Sequence, residues 1–151
     1  MSRPMQQNYA FEIIETARTI RRVANRRAAA LGATKAQWRV LAWLNRNGDG
    51  GRQVELADAL DVEPITLCRM IDRLEEAGLV ERRRDESDRR AWRIHLTPAS
   101  APMLVQLEEM GKAFNADMLA GISEADRETV LRVLGQMRDN IEQTEQELEI
   151  A

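Results

Sequence analysis

Residues 53–96 read QVELADALDVEPITLCRMIDRLEEAGLVERRRDESDRRAWRIHL, and this stretch decides the fold. Its apolar spacing predicts one short helix over residues 53–60 and a second over residues 63–77. Pro64 takes the first position of the second helix, where its missing N–H costs little, and Gly78 ends that helix. Two short helices separated by about three residues are typical of a helix-turn-helix.

The second half of the stretch predicts a β-hairpin. Strands are expected over residues 79–84 and 91–96, because the second of these runs alternates between apolar and polar side chains. The intervening DESDRR sequence is rich in turn-forming residues. A helix-turn-helix followed by a hairpin indicates a winged helix-turn-helix.

The flanking sequence is predicted to be helical. One helix is expected over residues 9–31, a second begins at Thr34 with a capping box to Gln37, and residues 47–51 form a flexible loop. Thr97 is expected to cap a long helix that Gly121 breaks, and a last helix follows. The fold class is therefore mainly α with a small β-hairpin, a winged helix-turn-helix with N- and C-terminal dimerisation helices. The terminal helices carry more apolar residues than one small domain needs, which favours pairing with a second copy.

The composition excludes several classes of protein. No apolar run approaches the roughly 20 residues of a membrane helix, and residues 1–10 lack a signal-peptide core, so we expect a cytoplasmic protein with no membrane partner. One cysteine and one histidine argue against a disulfide and a structural metal site. Because no nucleophile, base and orienting acid occur together and no phosphate loop is present, we expect neither an enzyme nor a cofactor.

Charge is distributed unevenly along the chain. The formal net charge is −3, but residues 1–62 carry +4, residues 63–96 carry 0 and residues 97–151 carry −7. Six arginines surround the hairpin turn, at positions 82, 83, 84, 89, 90 and 93. Such a wing can reach a DNA minor groove, whose negative potential attracts guanidinium groups. The alternative is a solvated hairpin with weak surface ion pairs.

The second helix of the pair is read as a recognition helix. At 100° per residue, one side is apolar and the other exposes Ile65, Thr66, Arg69 and Arg73 after Pro64. Ile65, Thr66 and Arg69 suit base contacts in a major groove, and Arg73 suits a phosphate. The alternative is an ordinary amphipathic helix with a solvated charged face.

The sequence resembles the MarR family of bacterial transcription regulators, most closely its SlyA-like branch. The resemblance extends from about residue 14 to residue 141 and is strongest in VEPITLCRMIDRLEEAGLVERR followed by SDRRAWRIHLTP. It implies a homodimer whose terminal helices interleave and whose two winged lobes bind a palindromic operator in double-stranded DNA. On this basis residues 1–151 form a single MarR-type domain. Residues 34–96 form its DNA-binding lobe, and residues 8–31 and 98–148 form its dimerisation helices.

The resemblance also implies individual roles in the wing. Arg69 matches the arginine that enters the major groove, and Arg89 matches the wing arginine that enters the minor groove. Asp88 and Arg90 match positions that hold the wing's shape, and Arg84 is placed with them on the DNA-binding wing. Many relatives have D-x-R-x-x-R at the turn, whereas this chain has Ser87 in the middle of that pattern.

Family members often release DNA when a small aromatic acid binds, and a small aromatic carboxylate is therefore a candidate partner. Arg18, Arg21 and Trp38 match the SlyA-like lining of that site, and Ala42 replaces a larger polar residue. Arginine beside tryptophan could hold a carboxylate and stack an aromatic ring. The alternative is a core tryptophan beside exposed helix arginines.

Two other functions remain open from the residues alone. A winged-helix module that binds protein instead of DNA would show little salt-dependent affinity for DNA. A thiol-based redox regulator would use Cys68, but the position of that residue at the edge of the recognition helix favours a small packing residue.

Overall fold

The computed structural model describes residues 8–151. In chain order these residues form helices α1 (Tyr9–Ala30) and α2 (Lys35–Asn47), strand β1 (Gly51–Arg52), helices α3 (Gln53–Ala59) and α4 (Pro64–Glu76), strands β2 (Val80–Arg84) and β3 (Trp92–Leu96), a 3-10 turn (Pro98–Ser100), and helices α5 (Ala101–Met118) and α6 (Glu124–Ile150). The predicted mainly α fold with a winged helix-turn-helix is confirmed, since α3 and α4 form the helix pair and β2 and β3 form the hairpin.

The predicted flexible loop over residues 47–51 is wrong at its C-terminal end. Gly51 and Arg52 form β1, which pairs antiparallel with β3 and gives a three-stranded sheet in the order β1-β3-β2. Gly50 extends this contact by donating its N–H to the carbonyl of Ile94 over 3.0 Å. A strand of two residues that begins with glycine has no side-chain periodicity, so its sequence resembles a loop.

α2 and α6 each begin directly after a capping residue, Thr34 and Ser123. The Thr34 hydroxyl accepts from the backbone N–H of Gln37, and the Gln37 side chain accepts from the Thr34 N–H, which completes the predicted capping box. Thr97 differs from the prediction: a 3-10 turn precedes α5, and the Thr97 hydroxyl donates to the Gly78 carbonyl over 2.5 Å instead of capping the helix. This bond connects the end of the hairpin to the end of α4.

One hydrophobic core joins α2, α3, α4 and the sheet. Its largest fully buried side chains are Val40, Leu41, Leu44, Leu56, Leu67, Ile71, Leu74, Val80 and Ile94. Leu67, Ile71 and Leu74 come from one face of α4, as the helical spacing predicted. Because that face packs inward, the opposite face of α4 is held toward solvent beside the hairpin.

The chain divides into two compact units between Lys112 and Ala113. Large apolar side chains are exposed in each: on α1 of the first unit Tyr9, Phe11 and Ile14, and on α6 of the second unit Val130, Leu131, Ile141, Leu148 and Ile150. Among the helices of residues 8–151, none has both the length and the apolar character that crossing a bilayer requires.

Candidate nucleic-acid interface

The outward face of α4 combines apolar and cationic side chains. Ile65 is 61% exposed, and Pro64, Thr66, Arg69 and Arg73 are also exposed. Within residues 8–151 no side chain forms an ion pair or hydrogen bond with the Arg69 guanidinium. The face therefore presents a cation and apolar groups together, which is the chemistry that base edges and thymine methyl groups require.

Arg82 connects the hairpin to α4. Its guanidinium forms ion pairs with Asp72 at 2.7 Å and with Glu75 at 3.1 Å, and it donates to the Cys68 carbonyl over 3.0 Å. Its Nε atom also donates to the side-chain oxygen of Gln53 on α3 over 3.2 Å. Arg82 is thus largely buried and neutralises two carboxylates on α4. It holds the hairpin against α4 and is not available to contact DNA.

Asp85 anchors the base of the wing. This carboxylate is only 3% exposed; it accepts from the Nε atom of Arg52 over 3.0 Å and forms an ion pair with the Nε atom of Arg93 at 2.8 Å. Its other oxygen accepts from the hydroxyl of Ser87 at 2.6 Å and from the N–H groups of Ser87 and Asp88. The Ser87 hydroxyl and N–H, followed by the Asp88 N–H and the Arg52 charge, hold the pKa of Asp85 well below its usual range, against the opposing effect of burial.

Arg93 extends this anchor to the chain before α3. Its Nη1 atom donates to the Gly50 carbonyl over 2.8 Å, while its Nε atom contacts Asp85. Arg52 and Arg93 are also partners in the pairing of β1 with β3. The base of the wing is therefore fixed to the helix-turn-helix by strand pairing and by two arginines.

The tip of the wing is closed by short-range hydrogen bonds. The Asp88 side chain accepts from the Arg90 N–H over 3.0 Å, and the Asp88 carbonyl accepts from the Ala91 N–H over 3.0 Å. Arg84 donates to the Arg89 carbonyl over 2.6 Å, and its guanidinium carbon lies 4.7 Å from the centre of the Trp92 ring. These bonds bring the predicted wing residues together in one turn.

The six arginines of the hairpin therefore have different surroundings. Arg82 and Arg93 form ion pairs with Asp72 and Asp85 and hold the hairpin in place. Arg83 pairs with Glu81 on the same strand, and Arg84 contacts the turn. The side chains of Arg89 and Arg90 are exposed and have no ion-pair partner among residues 8–151. The free positive charge of the wing is concentrated at its tip.

The predicted ligand residues are only partly brought together. A hollow of about 430 Å³ is lined by Arg18, Arg21 and Asn25 of α1 together with Lys35 of α2. Trp38 is half-buried, and its indole N–H donates over 2.8 Å to Asn25. Arg18 pairs with Glu15 at 3.1 Å, and half-buried Ala42 is not among the residues that line the hollow.

Arg39 is a half-buried cation on α2, near Arg21. It donates to the Leu60 carbonyl over 2.5 Å at the end of α3. Burial, reinforced by the positive charge of Arg21, lowers the pKa of Arg39, while Asp61 opposes that effect. Arg39 therefore lies close enough to Arg21 for their positive charges to repel each other.

Cys68 and His95 lie within the lobe. The Cys68 sulfur is 3.7 Å from the Arg82 guanidinium and is half-buried. The His95 side chain is 19% exposed, and its Nδ1 atom lies 3.3 Å from the Asp49 carboxylate. In the described part of the chain, no three His, Cys, Asp or Glu side chains group as a metal site would require.

Sequence reasoning missed the roles of Arg52 and Arg93 and understated that of Asp85. Asp85 does carry a signal, because an aspartate in a turn often accepts from the backbone N–H two residues later, as in an Asx turn, and here that N–H belongs to Ser87. Arg52 carries none, since it lies 33 residues from Asp85 in the chain. Only the three-stranded sheet brings these two residues together.

Known proteins resemble this chain in sequence and in fold. The sequence model of the MarR family matches residues 33–92. The structure of the transcriptional regulator PA3341 is 35% identical and superposes with a TM-score of 0.83 over 90% of this chain and 99% of that one. A MarR-family transcriptional regulator from Silicibacter pomeroyi is 31% identical, with a TM-score of 0.76 over 88% of this chain and 90% of that one. The transcriptional regulator SlyA is 27% identical, with a TM-score of 0.73 over 89% and 94% of the two chains.

Proposed function

The chain belongs to the MarR family of transcriptional regulators, and from this membership we propose that it is a sequence-specific DNA-binding protein. It acts as a homodimer on a palindromic operator in double-stranded DNA. α4 enters the major groove, where Arg69, Ile65 and Thr66 contact bases and Arg73 contacts phosphate. The tip of the wing enters the adjacent minor groove.

The observation that carries this proposal is the distribution of unpaired cations. Arg69 on α4 and Arg89 and Arg90 on the wing have no side-chain partner within residues 8–151, whereas Arg82, Arg83 and Arg93 are paired. These free guanidinium groups lie on a recognition helix and on a hairpin tip within one compact unit. Such a surface is suited to contacts with phosphates and base edges.

Dimerisation is supported by the apolar side chains that a single protomer exposes. Tyr9, Phe11 and Ile14 are each more than half exposed on α1, and a similar set lies on α6. Exposed apolar surface of this extent is typical of an interface. We therefore assign residues 8–31 and 98–148 to dimerisation and residues 34–96 to DNA binding, within one MarR-type domain.

A small aromatic carboxylate as the effector, as in the SlyA-like branch, is supported by the hollow on α1. Arg18 and Arg21 supply cations at its lining, and Asn25 connects it to the Trp38 ring. An acid bound there would pair its carboxylate with an arginine and place its ring toward α2. Release of the operator on binding would make the protein a ligand-responsive repressor.

The proposed function is tested by selecting bound fragments from a genomic library and then measuring operator affinity by fluorescence anisotropy. We expect log Kd to rise steeply with log salt, with a slope set by the phosphates contacted. Arg69→Ala should reduce the ratio of operator to random-DNA affinity by about tenfold, within the range for one base contact. Arg73→Ala is the matched control, because losing a phosphate contact weakens both DNAs alike.

Two outcomes would contradict the proposal. If the wild-type protein shows weak, salt-independent affinity for every fragment, the winged lobe serves another purpose, such as binding a protein. If Arg69→Ala and Arg73→Ala leave the operator-to-random ratio equally unchanged, α4 does not read bases.

A further inference from the structure

Arg84 lies on the wing, one residue from the turn, and its side chain is directed into the hairpin. Arg84 and Trp92 are directly opposite each other in the pairing of β2 with β3, so their side chains share a face. The guanidinium carbon lies 4.7 Å from the centre of the Trp92 ring, which is within the distance of a cation–π contact. Its Nη1 atom donates to the Arg89 carbonyl over 2.6 Å.

Both contacts hold the Arg84 guanidinium within the protein, whereas a phosphate contact would direct it toward DNA. The contact with the ring restrains the guanidinium, and the bond to the carbonyl connects the backbone of Arg89 to β2. We infer that Arg84 is a positioning residue: with Trp92 it clamps the wing turn so that the Arg89 side chain is presented to the minor groove. The inference rests on the proposed function for its DNA consequence, whereas the clamp itself exists without DNA.

The other side of the turn is held independently by Asp85. That carboxylate binds the N–H groups of Ser87 and Asp88, whereas Arg84 holds the carbonyl of Arg89. The two anchors therefore act on successive parts of the same loop. Removing the Arg84 anchor leaves the bonds to Asp85 in place, together with the bond from the Arg90 N–H to the Asp88 side chain, and frees the Arg89 carbonyl.

Arg83 provides a matched control within the chain. It is the neighbouring arginine on β2 and pairs with Glu81, and no bond connects it to residues 85–91. Arg83→Met and Arg84→Met therefore remove the same charge from adjacent positions, but only the second removes a contact to the turn. Arg84→Lys keeps the charge while losing the planar group that can stack and donate together.

The first measurement uses the full chain without DNA. Backbone ¹⁵N relaxation should show that Arg84→Met lowers the order parameter of Arg89 from about 0.85 toward 0.6, the values for rigid and flexible backbone, and lowers that of Arg90 less, because its N–H stays bonded to Asp88. Arg83→Met should leave them unchanged. Unchanged order parameters in Arg84→Met would overturn the clamp, whatever the protein binds.

The second measurement compares operators whose flanks are AT-rich or GC-rich. Arg84→Met should reduce the preference for AT-rich flanks by about tenfold, the ratio expected for ordering one backbone residue on binding. Arg89→Met should reduce the same preference, and the double variant should lose little more than either single variant, because both changes act on one contact. Arg84→Lys should resemble Arg84→Met.

A plain phosphate contact gives a different pattern. In that case Arg84→Met and Arg83→Met would weaken binding to both operators equally and would reduce the slope of log Kd against log salt by about one, the value for one phosphate contact. Arg84→Lys would restore binding. That result would overturn the positioning role. If the wild-type protein fails to bind DNA at all, the proposed function and the DNA part of this inference both fail, while the relaxation data still decide the clamp.

Discussion

Replacing Arg82 by methionine tests whether the arginines of the hairpin have different tasks. Arg82 is 13% exposed at its side chain and makes two ion pairs, with Asp72 and Glu75, and two hydrogen bonds, to the Cys68 carbonyl and the Gln53 side chain. The carboxylates are about half exposed, so each pair contributes only ~0.2–1 kcal/mol. Each hydrogen bond contributes about 0.5–1.5 kcal/mol.

Arg82→Met should therefore lower the free energy of unfolding by about 2–3 kcal/mol, because methionine recovers the packing of the aliphatic stem. Glu75 keeps a partner, since it also accepts from the backbone N–H of residue 82, and this limits the loss. For a chain of this length the change corresponds to a Tm lower by about 5–10 °C.

The assay is urea unfolding followed by far-UV circular dichroism at one fixed protein concentration, because association also contributes to apparent stability. Arg83→Met is the control: its side chain is 58% exposed and pairs with an exposed carboxylate, so its loss should change stability by less than about 1 kcal/mol. Equal midpoint shifts for the two variants would show that Arg82 does not join the hairpin to α4.

Three further predictions concern pH, backbone conformation and ligand. Because the folded-state pKa of Asp85 is depressed, its contribution to stability is complete above its unfolded pKa of about 4 and is lost as the pH falls below that value. Asp85→Asn should therefore make the free energy of unfolding fall less steeply at acid pH, as measured by urea unfolding at several pH values. Gly32→Ala should lower the free energy of unfolding by about 1–2 kcal/mol because the φ of Gly32 is +80°. Gly50→Ala should lower the urea midpoint further, since the φ of Gly50 is +86° and an added Cβ would also lie 2.9 Å from His95. Equal shifts of the midpoint would contradict the contact with His95. Salicylate should release the operator and change tryptophan emission, and a Trp38→Phe variant should lose the emission change; an identical change in that variant would place the ligand elsewhere.

Much of the fold could be predicted from the sequence because its signals are local. The Thr34 capping box, Pro64 at the first position of α4 and Gly78 after it each set a helix boundary within a few residues. The apolar face of α4 was also predicted, since Leu67, Ile71 and Leu74 recur at helical spacing and are fully buried. Local pattern and tertiary packing agree in these elements.

The site was predicted less completely because its organisation depends on residues distant in the chain. β1 and Arg52 meet the wing only through the sheet, and no spacing rule connects Arg52 with Asp85. Within the hairpin, the sequence shows six similar arginines, whereas burial and nearby carboxylates separate Arg82 from Arg89. Residue type predicts a basic wing, but the contacts decide which charges remain free.

The separation of the wing into an anchored base and a free tip bears on how new specificities could arise. Asp85 closes the base through four hydrogen-bond donors and an ion pair with Arg93, without using the side chains of Arg89 or Arg90. Those two positions can therefore accept a wide range of side chains without loss of the hairpin. Gene duplication followed by drift at the tip would yield paralogues with different groove preferences on an unaltered scaffold. A library randomised at positions 89 and 90 alone should be rich in folded proteins, and it offers a short route to engineered operator preference.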